Sequence, residues 1–189
     1  TDKYVRCKLH YKKICTPINL PTLSEVFAGL KSVSILGANS AKADADKFSY
    51  WAAAPKEIFE FYAEHKEPFE KLQKILNKYK LQLYAIRNTH DAGTNLPNGM
   101  FCGGWTGYFS YELGRHIERL PATTTDDLKM PLIRLCFYDR FIAYDHIEKA
   151  CWLIALQLPT DRQKPEEKLA GLEELLSESQ KIRVDKAAS

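Results

Sequence analysis

Two runs rich in β-branched and aromatic residues, Leu132 to Tyr144 and Ala150 to Leu158, flank the short polar segment Asp145-His146-Ile147-Glu148-Lys149. Runs of this kind joined by so brief a connection read as a long β-hairpin. A hairpin pairs its strands antiparallel, because parallel neighbours need a crossover of a dozen residues or more. This one feature excludes an all-parallel sheet. The N-terminus adds a second strand signal. Over residues 4–19, Val5, Cys7, Leu9 and Tyr11 fall on one face while Arg6, Lys8, His10 and Lys12 fall on the other, the period of a half-buried strand.

Helices are interspersed with these strands. Thr22 followed by Glu25 has the pattern of a capping box, and Leu23, Val26, Phe27 and Leu30 follow at helical spacing, so a short helix is expected over 23–31. Residues 32–36 and 47–53 read as strands, separated by a small, polar loop from Gly37 to Asp46, and Pro55 ends the second of them. Residues 57–62 fit strand or helix. Pro68 suits a first helical turn, and Phe69, Leu72, Ile75, Leu76 and Tyr79 then form one apolar stripe over 68–80. A strand at 81–87 and a loop from Thr89 to Gly99 follow. Leu169, Leu172, Leu175 and Leu176 define a helix over about 163–179, and the tail from Val184 is expected to fray. The expected class is α+β, with mostly antiparallel, sandwich-like sheets and three to four packed helices, in one domain over residues 1–184 with a tail at 185–189.

Composition narrows the function classes. The chain is 45% hydrophobic and 27% charged with a net charge of +3, ordinary for a globular protein and unlike a disordered or fibrous one. Residues 1–20 hold five basic side chains and one acid, so the charge is local, and its alternation with apolar residues reads as a solvated or guarded strand face. No nucleic-acid partner is expected, because aromatic rings are not interleaved on the basic face. No apolar run reaches membrane-spanning length. Five cysteines without a CxxC pair, and an N-terminus broken by Lys3, Arg6 and Lys8, suit a reduced, cytoplasmic setting. Cys7, His10 and Cys15 are close in sequence, but an odd spacing on a strand turns Cys7 and His10 to opposite faces, so packing is expected for Cys7 and solvent for His10 rather than a metal. Cys102, with His90-Asp91 and His116 nearby in sequence, lacks a local nucleophile pattern. Asp126-Asp127, Asp139 and Asp145 are expected in turns and loops.

The glycines Gly99, Gly103, Gly104 and Gly107 do not spell a phosphate-binding loop. Glycine allows positive φ and close backbone approach, so the expectation is that Trp105, Tyr108, Phe109 and Tyr111 pack into the core beside that backbone. The full segment, Gly103-Gly104-Trp105-Thr106-Gly107-Tyr108-Phe109-Ser110-Tyr111-Glu112-Leu113-Gly114-Arg115 continuing to Leu120-Pro121, resembles the glycine-tryptophan signature of the aminodeoxychorismate synthase component I and anthranilate synthase component I family. Phe137-Tyr138-Asp139 through Asp145-His146 resembles that family's strand-and-turn motif, and Lys47-Phe48-Ser49-Tyr50-Trp51 its aromatic strand. The Tyr111-Glu112-Leu113-Gly114-Arg115 wording is similar to the aminodeoxychorismate branch.

The resemblance implies the N-terminal scaffold and regulatory domain of an enzyme that aminates chorismate to 4-amino-4-deoxychorismate, towards 4-aminobenzoate and folate. It implies a C-terminal chorismate-binding domain, absent from this chain, that holds the catalytic residues and Mg²⁺, and a glutamine amidotransferase subunit that supplies ammonia. No catalytic residue, metal or cofactor is expected in these residues. An anthranilate synthase domain, a stand-alone ligand-binding module and an amidotransferase-docking module remain open. The family's N-terminal domain also carries an aromatic amino-acid pocket, and its positions correspond to Leu36, Gly37, Ala38, Lys47, Phe48 and Ser49. Gly37 and Ala38 stand where the family has a carboxylate and a hydroxyl, which implies weak or absent tryptophan binding. Gly103, Gly104, Trp105, Gly107, Tyr108 and Tyr111 are expected to be structural, and Glu112 and Arg115 to pair across one turn.

Overall fold

A computed structural model of the chain describes residues 4–37, 47–85, 96–119 and 128–188. The strands are β1 (Val5–Ile14), β2 (Ser34–Leu36), β3 (Phe48–Ala52), β4 (Glu57–Phe61), β5 (Leu81–Ala85), β6 (Gly104–Phe109), β7 (Ile133–Tyr138), β8 (Arg140–Asp145) and β9 (Ala150–Gln157). The helices are α1 (Leu20–Ala28), α2 (Pro68–Lys78) and α3 (Pro165–Ala188), with a 3-10 turn at Tyr111–His116. One sheet has six strands in the order β2-β3-β8-β9-β1-β5, and a second has three in the order β4-β7-β6. All pairings are antiparallel except β1 with β5. The α+β class with mostly antiparallel sheets is therefore observed.

Register places the side chains in layers. Lys12 pairs with Leu153 and His10 with Ala155, so the even positions of β1 share a face with the odd positions of β9. Leu153, Ala155, Ile142 and Trp51 on that face pack against Leu23 and Phe27 of α1 and Leu169, Leu172 and Leu176 of α3. The opposite face carries Cys7, Leu9, Tyr11, Trp152, Ile154 and Phe141, which form one core with Phe137 and Tyr138 of the smaller sheet. A third cluster joins Phe61, Ile133 and Leu135 to Leu72 and Leu76 of α2. Burying large side chains of this kind stabilises by about 1.5–3 kcal/mol each.

Four expectations change. The run from Leu132 to Tyr144 is not one strand: it breaks at Asp139, β7 belongs to the small sheet and only β8 forms the hairpin with β9. Asp139 is buried, its carbonyl accepts from Leu156 N at 2.7 Å, and its carboxylate meets Lys168, so the chain changes sheets where a side chain must turn inward to a cation. Helix α1 starts at Asn19 rather than Thr22, because the Asn19 side chain accepts from Thr22 N at 3.1 Å and Pro21 occupies the first turn. Helix α3 runs past 179 to Ala188, through the segment expected to fray. His10 is buried at 8% exposure rather than solvated, because it lies beside Ala155 of β9 on the face that packs against α1 and α3, while Arg6, Lys8 and Lys12 of the same face stay exposed. Residues 57–62 resolve as strand β4.

Candidate functional site

The glycine-aromatic segment forms β6 and the 3-10 turn after it. Glycine is required at two places by close approach. A Cβ on Gly107 would clash with the Arg134 carbonyl oxygen and stand 2.9 Å from Leu135 Cα. At Gly103, where φ is +116°, a Cβ would clash with the Leu156 side chain and lie 3.3 Å from Tyr138 O. Gly104 also has positive φ and is buried. Trp105 is half-buried with its ring edge-on to Phe137 (5.3 Å between centroids) and Tyr79 (5.7 Å), and Tyr108 is half-buried with its hydroxyl enclosed. The inward packing stops there. Phe109, the last residue of β6, and Tyr111, the first of the 3-10 turn, are 55% and 86% exposed. Ser110 caps the turn by accepting from Glu112 N at 3.3 Å. Arg115 Nε lies 2.5 Å from Glu112 Oε2, both half-exposed, a pair worth about 0–1 kcal/mol.

Of the positions expected to correspond to an aromatic amino-acid pocket, Leu36 ends β2, Phe48 and Ser49 open β3, and Gly37 and Lys47 flank them. Leu36 pairs with Tyr50 and is itself exposed, and Gly37 follows it. A Cβ on Gly37 would touch Ser49 Oγ at 4.0 Å, so Gly37 and Ser49 are neighbours; Ala38 lies outside the described residues. Lys47 is already partnered. Its Nζ is 3.4 Å from Asp145 Oδ2 and 5.1 Å from the Phe48 ring centre. Ser49 shares a hydrogen bond of 2.6 Å with His146 Nε2. This serine–histidine contact is 97 residues apart in sequence, so no local spacing announces it. Ser49 is only 2% exposed, which withholds its hydroxyl from substrate. Asp145 does not complete a triad: its Oδ1 accepts from Ile147 N and Glu148 N at 2.9 and 3.0 Å. The contacts fasten the β8–β9 turn onto β3.

A buried charge network was not anticipated. Lys168 of α3 is 1% exposed, and its Nζ donates to Asp139 Oδ2 (2.8 Å), Asp161 Oδ2 (2.6 Å) and Leu156 O (2.6 Å). Arg140 also contacts Asp139, and Lys56 also pairs with Asp161. Burial alone would raise the Asp161 pKa, but the bonds from Lys168, Lys56 and Leu158 N outweigh it and hold the carboxyl below its usual range. The signal was present: Lys168 sits on the stripe formed by Leu169, Leu172 and Leu176, where a polar residue needs a buried partner.

Three of the remaining candidate thiols are not activated. Burial raises the thiols of Cys7 and Cys102, and pushes Cys151 up to about 12, which keeps them protonated and unreactive. Cys7 and His10 do face opposite ways, into the inter-sheet core and towards the helices. The His116 ring sits edge-on to Phe61 at 5.5 Å. His90, Asp91, Asp126 and Asp127 lie outside the described residues. Among the described residues no three His, Cys, Asp or Glu side chains gather to hold a metal ion, and no helix is long and apolar enough to cross a membrane.

Comparison with known proteins adds two findings. The profile of the family described as chorismate binding enzyme matches residues 38–188. Among curated proteins, the chain is 37% identical over 91 residues to anthranilate synthase alpha subunit 2, chloroplastic, of Arabidopsis thaliana, covering 46% of this chain and 15% of that one. It is 36% identical over 88 residues to anthranilate synthase component 1 of Acetivibrio thermocellus (46% and 15%). It is 34% identical over 87 residues to aminodeoxychorismate synthase component 1 of Bacillus subtilis (46% and 18%). The chain thus spans less than a fifth of the length of these relatives.

Proposed function

Because the chain belongs to the chorismate binding enzyme family, we propose that it is the N-terminal scaffold and regulatory part of an aminodeoxychorismate synthase component I. Its parent enzyme then aminates chorismate to 4-amino-4-deoxychorismate with ammonia from a glutamine amidotransferase subunit, in the cytoplasm. The observation that supports the reading is the family match over residues 38–188, joined to the Gly103–Arg115 segment, in which Gly103 and Gly107 are required by close approach. The branch rests on the Tyr111-Glu112-Leu113-Gly114-Arg115 wording. A specific observation favours a second reading, anthranilate synthase: the identities to two such subunits, 37% and 36%, stand beside 34% for the aminodeoxychorismate relative.

The scaffold role is supported by what the residues do. The thiols of Cys7, Cys102 and Cys151 are held protonated, Ser49 is buried against His146, and Lys168, Asp139 and Asp161 pair with one another. The Mg²⁺ that the family implies does not fit the described residues, among which no three His, Cys, Asp or Glu side chains gather to hold a metal ion. Gly37 in place of a carboxylate removes a charge-assisted partner for an amino-acid ammonium, a loss of about 1.5–3 kcal/mol; weak or absent tryptophan binding follows, and micromolar binding by calorimetry would contradict it.

The deciding experiment expresses the complete reading frame that encodes these residues and supplies chorismate, ammonium and Mg²⁺. Accumulation of 4-amino-4-deoxychorismate supports the first reading and anthranilate the second. Turnover of chorismate by the 189-residue chain alone would overturn the scaffold role.

A further inference from the structure

Asn98 is the only asparagine in the sequence that a glycine follows. The structure places the pair at the centre of a turn ahead of the signature strand. Met100 N donates to Pro97 O at 3.3 Å, and Gly99, not Asn98, takes the positive φ, +80°. Positive φ at the third residue is the type II arrangement, which favours glycine there. Both Asn98 and Gly99 are exposed. A Cβ placed on Gly99 would meet nothing within 4 Å, so the space beside the Asn98–Gly99 peptide is open. Among the described residues, no hydrogen bond engages the Asn98 side chain or the Gly99 N–H. The turn's own bond is longer than the usual range of about 2.7–3.2 Å, so this peptide can reorient at little cost.

Other asparagines are held. Asn19 Oδ1 accepts from Thr22 N at 3.1 Å, and Leu20 of α1 follows it. Asn77 Oδ1 accepts from Gln73 Nε2 at 3.1 Å inside α2, with Lys78 next. Asparagine is a thermolabile residue, and what protects it is restraint of its amide and a side chain on the residue after it. Asn98 has neither. We propose that Asn98 is a modification site, at which the chain deamidates through its own backbone. Gly99 N attacks Asn98 Cγ and closes a succinimide. The N–Cγ bond forms, the Cγ–Nδ2 bond breaks, and the proton lost from Gly99 N leaves with the amine as ammonia. Water then opens the ring. Attack at Cγ leaves aspartate; attack at the Asn98 main-chain carbonyl leaves isoaspartate, with the main chain running through Cβ and Cγ. The net change consumes a water and releases an ammonia, with no oxidation or reduction. Both products put a carboxylate where a neutral amide stood. Isoaspartate also lengthens the main chain by a carbon, just before Met100, which is buried, and Phe101, whose N donates to the Tyr50 hydroxyl at 3.0 Å. The proposal rests on the turn alone, so the outcome of the chorismate assay does not bear on it.

The test stores the purified chain at physiological temperature in neutral and in mildly alkaline buffer. Peptide mapping by mass spectrometry locates the gain in mass of NH₂ replaced by OH, and methyl transfer by a protein isoaspartate methyltransferase reports the branched product. Conversion at Asn98 is expected to run at least about tenfold faster than at Asn19 or Asn77. It should quicken as pH rises, because the attacking nitrogen must give up its proton, and isoaspartate should be among the products. Gly99→Ala, which sets a methyl group beside the attacking nitrogen, is expected to slow conversion by about tenfold or more. Asn98→Gln should remove the methyltransferase signal, and Tm shows whether each variant is folded. Because alanine is strained at positive φ, the comparison of Asn98 with Asn19 and Asn77 in the parent chain stands if Gly99→Ala unfolds. The proposal is overturned if Asn98 converts no faster than Asn19 and Asn77, if conversion needs denaturant, if folded Gly99→Ala converts at the parent rate, or if the methyltransferase signal survives in Asn98→Gln.

Discussion

Replacing Lys168 by methionine tests the buried network directly. The ammonium is the shared donor to Asp139, Asp161 and the Leu156 carbonyl. Its removal leaves two carboxylates inside the protein with one cation fewer. Breaking a buried ion pair by deleting one partner costs about 3–5 kcal/mol, chiefly through the charge left uncompensated. Arg140 and Lys56 still reach Asp139 and Asp161 from the rim, which sets the expectation at the lower end, about 3 kcal/mol. For a chain of this length each kcal/mol moves Tm by about 2–4 °C, so Lys168→Met is expected to lower Tm by about 6–12 °C at pH 7. Calorimetric melting at low and high salt supplies the check. A buried network is screened far less than surface pairs such as Lys12–Glu173, so the deficit should persist at about 1 M salt. Adding Asp139→Asn and Asp161→Asn to Lys168→Met removes the stranded charges and should restore part of the loss. A Tm within about 2 °C of the parent for Lys168→Met would refute the reasoning.

Other perturbations read other parts of the fold. Gly107→Ala drives a Cβ into the Arg134 carbonyl and should cost about 2–3 kcal/mol by urea denaturation, whereas Gly171→Ala, which meets nothing within 4 Å on α3, should stabilise by up to about 1 kcal/mol. Trp105→Ala removes a half-buried ring and is expected to cost about 3 kcal/mol, while Tyr111→Ala, 86% exposed, should change stability by less than about 0.5 kcal/mol; equal effects from the two would contradict the inward and outward division of the segment. Asp161 is depressed in the folded state, so its contribution is complete above the ordinary Asp value of about 3.9 and declines as pH falls through the lower folded pKa. Thermal melts between pH 5 and pH 2 should therefore show a shallower acid decline for Asp161→Asn than for the parent.

Much of the fold was legible because its signals are local. The alternation of β1, the aromatic run of β3, the stripe of α2 and the β8–β9 hairpin each follow from neighbouring residues. What escaped depends on partners far along the chain. Phe137 to Tyr144 has the same β-rich composition on both sides of Asp139, so nothing local marks the change of sheet; its cause is Lys168, on a different element. The parallel pairing of β1 with β5 is equally non-local, and so is the packing of α1 and α3 over the β9 face on which His10 lies, which turns it from a solvated position into a buried one. The glycines were readable as points of close approach, but not which backbone approaches. The candidate site divides the same way: the Glu112–Arg115 pair follows from a spacing of three, whereas Ser49 with His146 and Lys47 with Asp145 exist only once β3 lies beside β8.

The signature segment serves two ends within one stretch. Gly103, Gly107 and Trp105 satisfy constraints internal to this chain: two close approaches and a ring set edge-on to the stacked pair Tyr79 and Phe137. Phe109 and Tyr111 satisfy none, since apolar rings more than half exposed gain little from the fold they sit on. A segment serving packing alone would place its rings inward, as Trp105 does. The packing of β6 against β7 thus explains the glycines and the tryptophan and leaves the outward rings unexplained by stability. Loss of stability on mutation accordingly reports on the first group, and unchanged stability is expected for the second.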